Sequence, residues 1–300
     1  MGARARRRQR VRRLEIIAVV VVIAAVAGAG IYLAMSTQGG NDAYIGKKVS
    51  PRIYSSMRQA SLSSYGVSGS SYLTAVQNVG GQYWSTNGKS ILVSATGEHC
   101  SPCALQRWPL VLALMRFGNF TNLEYMTSST AEGDYATFAF AVSSYQSDYL
   151  VFQPYEVFDR SGTPFEALPA NYSLADQQHG SSSIPFLDFA GQYVISGGIL
   201  PDLSILGAKN WTQIISSINT GDTLGTQIKL ATNVITAVIC KTTGEKPASV
   251  CNQGSIPELT TSLVSYLPQP TTLPVGLMPE AADAVRGESQ ANVEVSTRGA

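Results

Sequence analysis

Histidine is nearly missing from this chain: there are two, His99 and His179, in 300 residues. A structural zinc site normally takes four Cys or His ligands, so so thin a supply argues against a resident metal. Cysteine is also sparse, with four in the whole sequence. Positive charge is scarce wherever a folded body can form. Seven of the 21 basic residues fall within the first 13 positions, leaving 14 basic against 19 acidic residues from position 36 onward, a net of −5. A mildly acidic body with no basic stripe excludes nucleic acid as the expected partner. No internal repeat and no heptad run is present, which removes solenoids and coiled coils from consideration.

One long apolar run is present. Residues 16–35 (IIAVVVVIAAVAGAGIYLAM) carry no charge, and at about 1.5 Å per residue a helix of that length crosses the roughly 30 Å hydrocarbon core of a bilayer. Arg4, Arg6, Arg7, Arg8, Arg10, Arg12 and Arg13 precede it. The positive-inside rule keeps residues 1–15 cytoplasmic and places everything after residue 35 outside. The run is longer than the core of a cleavable signal and no A-x-A site follows, so a retained single-pass anchor in the cell membrane is expected. Residues 36–48 read as a linker, and the Pro-, Ala- and Glu-rich segment 268–300 as a disordered tail.

An exported body changes the meaning of the cysteines, since disulfides persist outside the cell. Sequence spacing favours two local rings, Cys100 with Cys103 and Cys240 with Cys251. The second closes a polar Gly- and Pro-containing loop and reads as a structural brace worth about 3 kcal/mol. The first sits where a strand, Ser90 to Ala95, passes through a tight turn into an apolar helix containing Leu105, Trp108, Leu112, Met115 and Phe117. Pro102 is tolerated in the first turn of that helix, Pro109 is expected to kink it, and Gly118-Asn119 to end it. Asn122 to Ser129 is expected as the following strand of a right-handed βαβ unit. Residues 131–178, with an aromatic Tyr149 to Phe158, read as an insertion whose aromatics either form a peptide-binding surface or, as is commoner, fill the core of a small subdomain. Ser181 to Gly198 reads as a hairpin entered through Ile184-Pro185 and turning at Ala190-Gly191. Helices follow from Trp211 onward.

Strand, Cys-x-x-Cys at a helix start, strand, Ile-Pro leading into a hairpin, and a final helix together resemble the thioredoxin fold. More narrowly, GEHCSPCALQRW followed by RFGNFTNLEY, with the apolar N-terminal run and the ICK to VCN cysteine pair, resembles an archaeal membrane-anchored family, domain of unknown function 929. The resemblance spans most of residues 45–267. The expected fold class is therefore α/β: a thioredoxin-like domain over 49–267, with a central mixed sheet flanked by helices, an insertion between the second strand and the cis-proline hairpin, and the transmembrane helix ahead of it.

The thioredoxin resemblance implies roles position by position. Cys100 becomes the attacking thiolate, favoured by the helix N-terminus, and Cys103 the resolving thiol. Pro185 becomes a cis-proline beside them, with the Ile184 backbone free to pair with an extended substrate. Two departures bear on proton transfer: Ser94 stands where many thioredoxins have a buried Asp, and His99 where they have Trp. Glu98 is the candidate to move the proton instead, against a plain exposed turn glutamate. His99 either lowers the Cys100 pKa as a cation or is a plain turn histidine. The implied activity is thiol–disulfide exchange with exported proteins and a membrane electron-transfer partner, with no cofactor. Two other classes remain: a surface protein whose disulfides are only structural, and a metal-handling module using His99, Cys100, Cys103 and His179. Asn119, Asn171 and Asn210 head Asn-x-Ser/Thr triplets compatible with glycosylation.

Overall fold

The computed structural model describes residues 40–265. The expected anchor at 16–35, the basic segment before it, residues 36–39 of the linker and the tail lie outside them. Among the described residues no helix is long and apolar enough to cross a membrane.

The fold is mixed α/β, and the strand leading to the cysteines runs through its middle. That strand, β3 (Lys89–Gly97), follows two short ones, β1 (Gln77–Asn78) and β2 (Ser85–Thr86), and a helix, α1 (Pro51–Leu62). Asn87 and Gly88 both take positive φ between β2 and β3, the geometry a tight hairpin requires. On one edge β3 pairs antiparallel with β9 (Phe186–Phe189), which turns into β10 (Tyr193–Ser196). On the other it pairs parallel with β8 (Leu150–Phe158) from Ser90 through Gly97. The six strands form one mixed sheet.

This pairing corrects two expectations. The strand at Glu124–Thr127 (β5) does not complete a βαβ unit with β3; it pairs with β6 (Ala136–Ala139) in a separate ribbon. The aromatic stretch 149–158 is not the core of a small subdomain but the parallel partner of β3, so the segment 131–178 supplies a strand of the main sheet. Buried Leu150 and Phe152 alternate with the half-buried Val151, the period-2 signature of a strand with one face in the main core. A second ribbon joins β4 (Gly118–Thr121) to β7 (Ser144–Ser147).

Side-chain alternation divides the sheet. Leu92, Leu150, Phe152, Leu187, Phe189 and Ile195 join the main core with the helix after the cysteines, α2 (Ser101–Phe117). Ile91 and Val93 face the other way and pack with Tyr172 of α3 (Ala170–His179). Every residue of α2 but Pro102 is buried, which explains the absence of a polar stripe in its sequence. Pro109 lies inside this element, which continues unbroken as a helix to the expected stop at Gly118. Its indole Trp108 Nε1 donates to Ala136 O at 2.8 Å, and Trp211 Nε1 donates to Thr137 O at 2.6 Å. The β5–β6 ribbon is thus held to α2 and to α4 (Trp211–Thr220).

Behind α2 lies α5 (Thr223–Thr242), followed by α6 (Ala248–Cys251) and α7 (Ile256–Ser265). Arg116 binds α2 to this layer. Its guanidinium donates to Asn233 Oδ1 at 2.9 Å, Thr236 Oγ1 at 2.8 Å and Ser61 O at 2.9 Å, and lies 3.9 Å from the Tyr65 ring centre. Burial lowers its pKa to about 10, so it stays charged at neutral pH. Cys240 and Cys251 are joined as expected, tying the end of α5 to α6 with both residues buried.

One buried carboxylate makes the sheet pH-sensitive. Asp188 in β9 is 1 % exposed and accepts Gly191 N–H at 2.6 Å, which fixes a turn where Ala190 and Gly191 both have positive φ. Burial pushes its pKa up to about 7, with the Gly191 bond partly opposing. A carboxyl raised in the folded state gives stability that is complete below the unfolded value near 4 and is lost as pH rises through 7. Asp188→Asn keeps the acceptor without the charge. Urea denaturation from pH 4 to 8 should show the wild-type protein losing about 2–4 kcal/mol that the variant retains.

Candidate functional site

The Cys100–Cys103 turn is built at the junction of β3 and α2. Cys100 is the N-cap of α2: its backbone is extended, and its sulfur accepts from Cys103 N at 3.2 Å. The structure joins it to Cys103, with Cα atoms 5.2 Å apart. Cys100 is 6 % exposed and Cys103 is fully buried. The two sulfurs are therefore unequal: any approach from outside meets Cys100, at the helix end where backbone N–H groups and the dipole stabilise negative charge.

The hairpin entry expected to wall this turn comes close to it at Gly97. Ile184-Pro185 precedes β9, its peptide is cis, and Pro185 O accepts Gly197 N–H at 2.9 Å. Gly97 shows how close the segments come. A Cβ there would lie 2.9 Å from Ile184 Cδ1 and 3.0 Å from the His99 ring. His99 also meets Phe158 edge-on, with ring centres 5.6 Å apart, and its buried Nδ1 has no partner among the described residues. Gly97, His99 and Ile184 thus meet immediately before Cys100. Pro102 forms one wall of a cavity of about 510 Å³ shared with Tyr72, Gly198 and Leu200.

Glu98 occupies the turn with its carboxyl half-buried, and its pKa is pushed up to about 7. Burial is the main cause, the negative charge of Glu156 adds to it, and Arg107 opposes it. A carboxyl titrating near neutrality can both give and take a proton there, which an ordinary exposed glutamate does not. The second histidine is elsewhere. His179 lines a small cleft of about 180 Å³ with Trp84, Asp188 and Gly191, and the cysteines are not part of that lining. Among the described residues no group of three or more His, Cys, Asp and Glu side chains is placed to hold a metal.

The structure sets Ser94, already singled out in the sequence, among residues that the sequence reading passed over. Ser94 and Thr96 lie on the sheet face beneath α2, and the register puts Glu156 of β8 beside Thr96. Glu156 and Arg107 form an ion pair at 2.5 Å with both side chains fully buried. Arg107 Nη2 also donates to Thr96 Oγ1 at 3.1 Å and Gly97 O at 3.2 Å, and Thr96 Oγ1 donates to Glu156 Oε2 at 2.9 Å. The remaining carboxylate oxygen accepts Phe140 N–H at 3.2 Å. A charged network thus clamps the second turn of α2 to the sheet. Gln106 reaches the hairpin side, where its Oε1 accepts Ile199 N–H at 2.7 Å. Ser101 Oγ donates to Glu132 Oε2 at 2.7 Å, bringing a third carboxylate to the turn. The signal for the clamp was an Arg in an otherwise apolar helix and a Glu in an aromatic strand, each costly to bury unless paired.

No curated protein and no solved structure matches the chain. The family model described as Domain of unknown function (DUF929) matches residues 75–241, more than half of the chain and inclusive of the cysteine turn and the proline hairpin, and the chain belongs to that family.

Proposed function

We propose that the chain is a membrane-anchored, extracytoplasmic thiol–disulfide oxidoreductase of thioredoxin-like fold, acting on thiols or disulfides of exported proteins. The observation that carries this reading is the asymmetry of the Cys100–Cys103 pair at the N-terminus of α2, with Cys100 slightly exposed and Cys103 fully enclosed. The Ile184-Pro185 segment packed beside Gly97 and the central β3–α2 junction support it. The uncharged run at 16–35 behind an arginine cluster supports the anchor and the outward-facing body.

In the reducing direction, the Cys100 thiolate attacks a substrate disulfide, forming a mixed disulfide and releasing one substrate thiolate. Deprotonated Cys103 then attacks Cys100 Sγ, releasing the second substrate thiolate and closing the ring. The substrate gains two electrons and the cysteine pair loses two, which a membrane electron-transfer partner must restore. The oxidising direction is the reverse sequence. Cys103→Ala should accumulate mixed disulfides through Cys100, seen as reductant-sensitive adducts on non-reducing gels and lost again in the Cys100→Ser/Cys103→Ala double variant. Absence of any adduct, together with no exchange on a model disulfide, would sink the oxidoreductase reading.

The depth of both sulfurs favours a second reading, a surface protein whose two disulfides are structural. A Cys100–Cys103 bond that resists dithiothreitol until the domain unfolds would support it.

A further inference from the structure

Away from the cysteine turn, a cavity of about 710 Å³ opens between the start of the described chain, α1 and α4. Its volume lies within the roughly 300–1,000 Å³ of small-molecule clefts. Three cations line it, Lys47, Lys48 and Arg52, and no carboxylate does. From Ala43 to Gly97 the chain has five basic and no acidic residues, although the described body as a whole has 12 basic and 15 acidic. None of the three cations enters an ion pair among the described residues. Of the nearby acids, Asp42 is drawn to Arg160 at 3.3 Å, and Glu124, the backbone partner of Lys48, does not line the cavity.

The walls suit the same kind of ligand. Tyr44, Tyr125 and Trp211 form a continuous aromatic side, with Tyr125 and Trp211 ring centres 4.7 Å apart and Tyr44 and Trp211 5.9 Å apart. Two helices begin at the cavity. Ser50 caps α1 by accepting Ile53 N–H, and Asn210 caps α4 by accepting Gln213 N–H. These caps leave Arg52, Trp211 and Thr212 among the helix-end N–H groups that have no intrahelical acceptor. Two dipole ends and three unpaired cations add in sign.

The geometry points to a binding site for a phosphate-bearing anion of headgroup size, with the phosphate held by Lys47, Lys48, Arg52 and the two helix ends, and its organic part against Tyr44, Tyr125 and Trp211. The phosphate can belong to an anionic lipid headgroup or to a free phosphate ester. Gly40 and Asn41 edge the cavity, and only four residues separate them from the apolar run ending at Met35, a reach of about 15 Å.

The test uses the full chain. In detergent, calorimetric titration with glycerol phosphate should show binding that weakens with salt and falls at least tenfold in K47Q/K48Q/R52Q, while the charge-matched K229Q/K241Q/K246Q keeps it. In nanodiscs, amide exchange of residues 44–56 and 211–215 should be slower in phosphatidylglycerol than in phosphatidylcholine if the ligand is a lipid. Soluble binding with no lipid dependence assigns the site to free phosphate esters. Absence of binding in both arms, or an equal loss in both triple variants, overturns the proposal. Thiol exchange by K47Q/K48Q/R52Q should be unchanged, so this result stands apart from that of the cysteine pair.

Discussion

Glu156→Ala should cost the folded domain about 3–5 kcal/mol, a shift of about two to four orders of magnitude in the folding equilibrium, measurable by urea denaturation with both disulfides intact. The carboxylate lies 2.5 Å from Arg107 with neither side chain exposed. Removing it leaves a guanidinium with no counter-charge in a place water does not reach. The loss therefore reflects the stranded cation more than the bond itself. The comparison that isolates this is Arg107→Met with Glu156→Leu. With both charges gone the pair should recover most of the stability, since apolar replacements of similar volume are often neutral. A Glu156→Ala penalty below about 1 kcal/mol would mean that Arg107 finds water in the folded state. The chemistry at the turn should respond too. Arg107 holds Gly97 O at 3.2 Å, and the same carbonyl accepts Cys100 N–H at 3.3 Å, so loss of the clamp frees the backbone on which Cys100 sits.

Much of this arrangement was readable from local pattern. The β3–α2 junction announces itself by an apolar strand, a proline tolerated in a first turn and a helix without a polar face. The hairpin after Pro185 is marked by Ala190-Gly191, and both disulfides follow from short separations in sequence. What local pattern could not supply was which strand lies beside β3. Asn122 to Ser129 reads as the next strand and Tyr149 to Phe158 as the aromatic part of an insertion, so proximity in sequence favoured the nearer segment. The choice was made by long-range side-chain matching: Glu156 had to reach Arg107, and Leu150 and Phe152 had to enter the main core. The nearer strand is held instead by indole hydrogen bonds from Trp108 and Trp211 to its ribbon partner. The same long-range pairing hid the buried acid. Ser94 drew attention as a missing carboxylate on β3, while a carboxylate enters the same sheet face from β8, whose 60-residue separation from Thr96 no motif encodes. The basic character of 43–97 was likewise invisible in a net charge of +1.

Glu98→Gln should slow thiol exchange about 100-fold at pH 7, within the usual range for loss of a positioned acid or base. Its carboxyl is pushed up to about 7 chiefly by burial and then by the charge of Glu156, so at neutral pH about half the molecules carry the basic form. On the proposed reading, that form would take the proton from Cys103 before ring closure in the reducing direction. The rate should therefore rise through an inflection near pH 7, and Glu98→Gln should lose the inflection as well as the rate. Stability moves the opposite way: a carboxyl raised in the folded state favours folding fully below about 4.5 and loses that contribution as pH climbs through 7. Glu98→Gln should thus be relatively more stable than wild type at pH 8 than at pH 4, while being slower at pH 7, a combination that simple damage to the turn does not produce. Glu98→Asp separates position from protonation, because it keeps a titrating group and shortens its reach. Single-turnover oxidation of the reduced pair by a small aromatic disulfide, followed from pH 5 to 9 in the three proteins, reads the effect directly. An unchanged profile in Glu98→Gln would remove Glu98 from the chemistry and leave Glu132, bonded to Ser101, as the carboxylate to examine next.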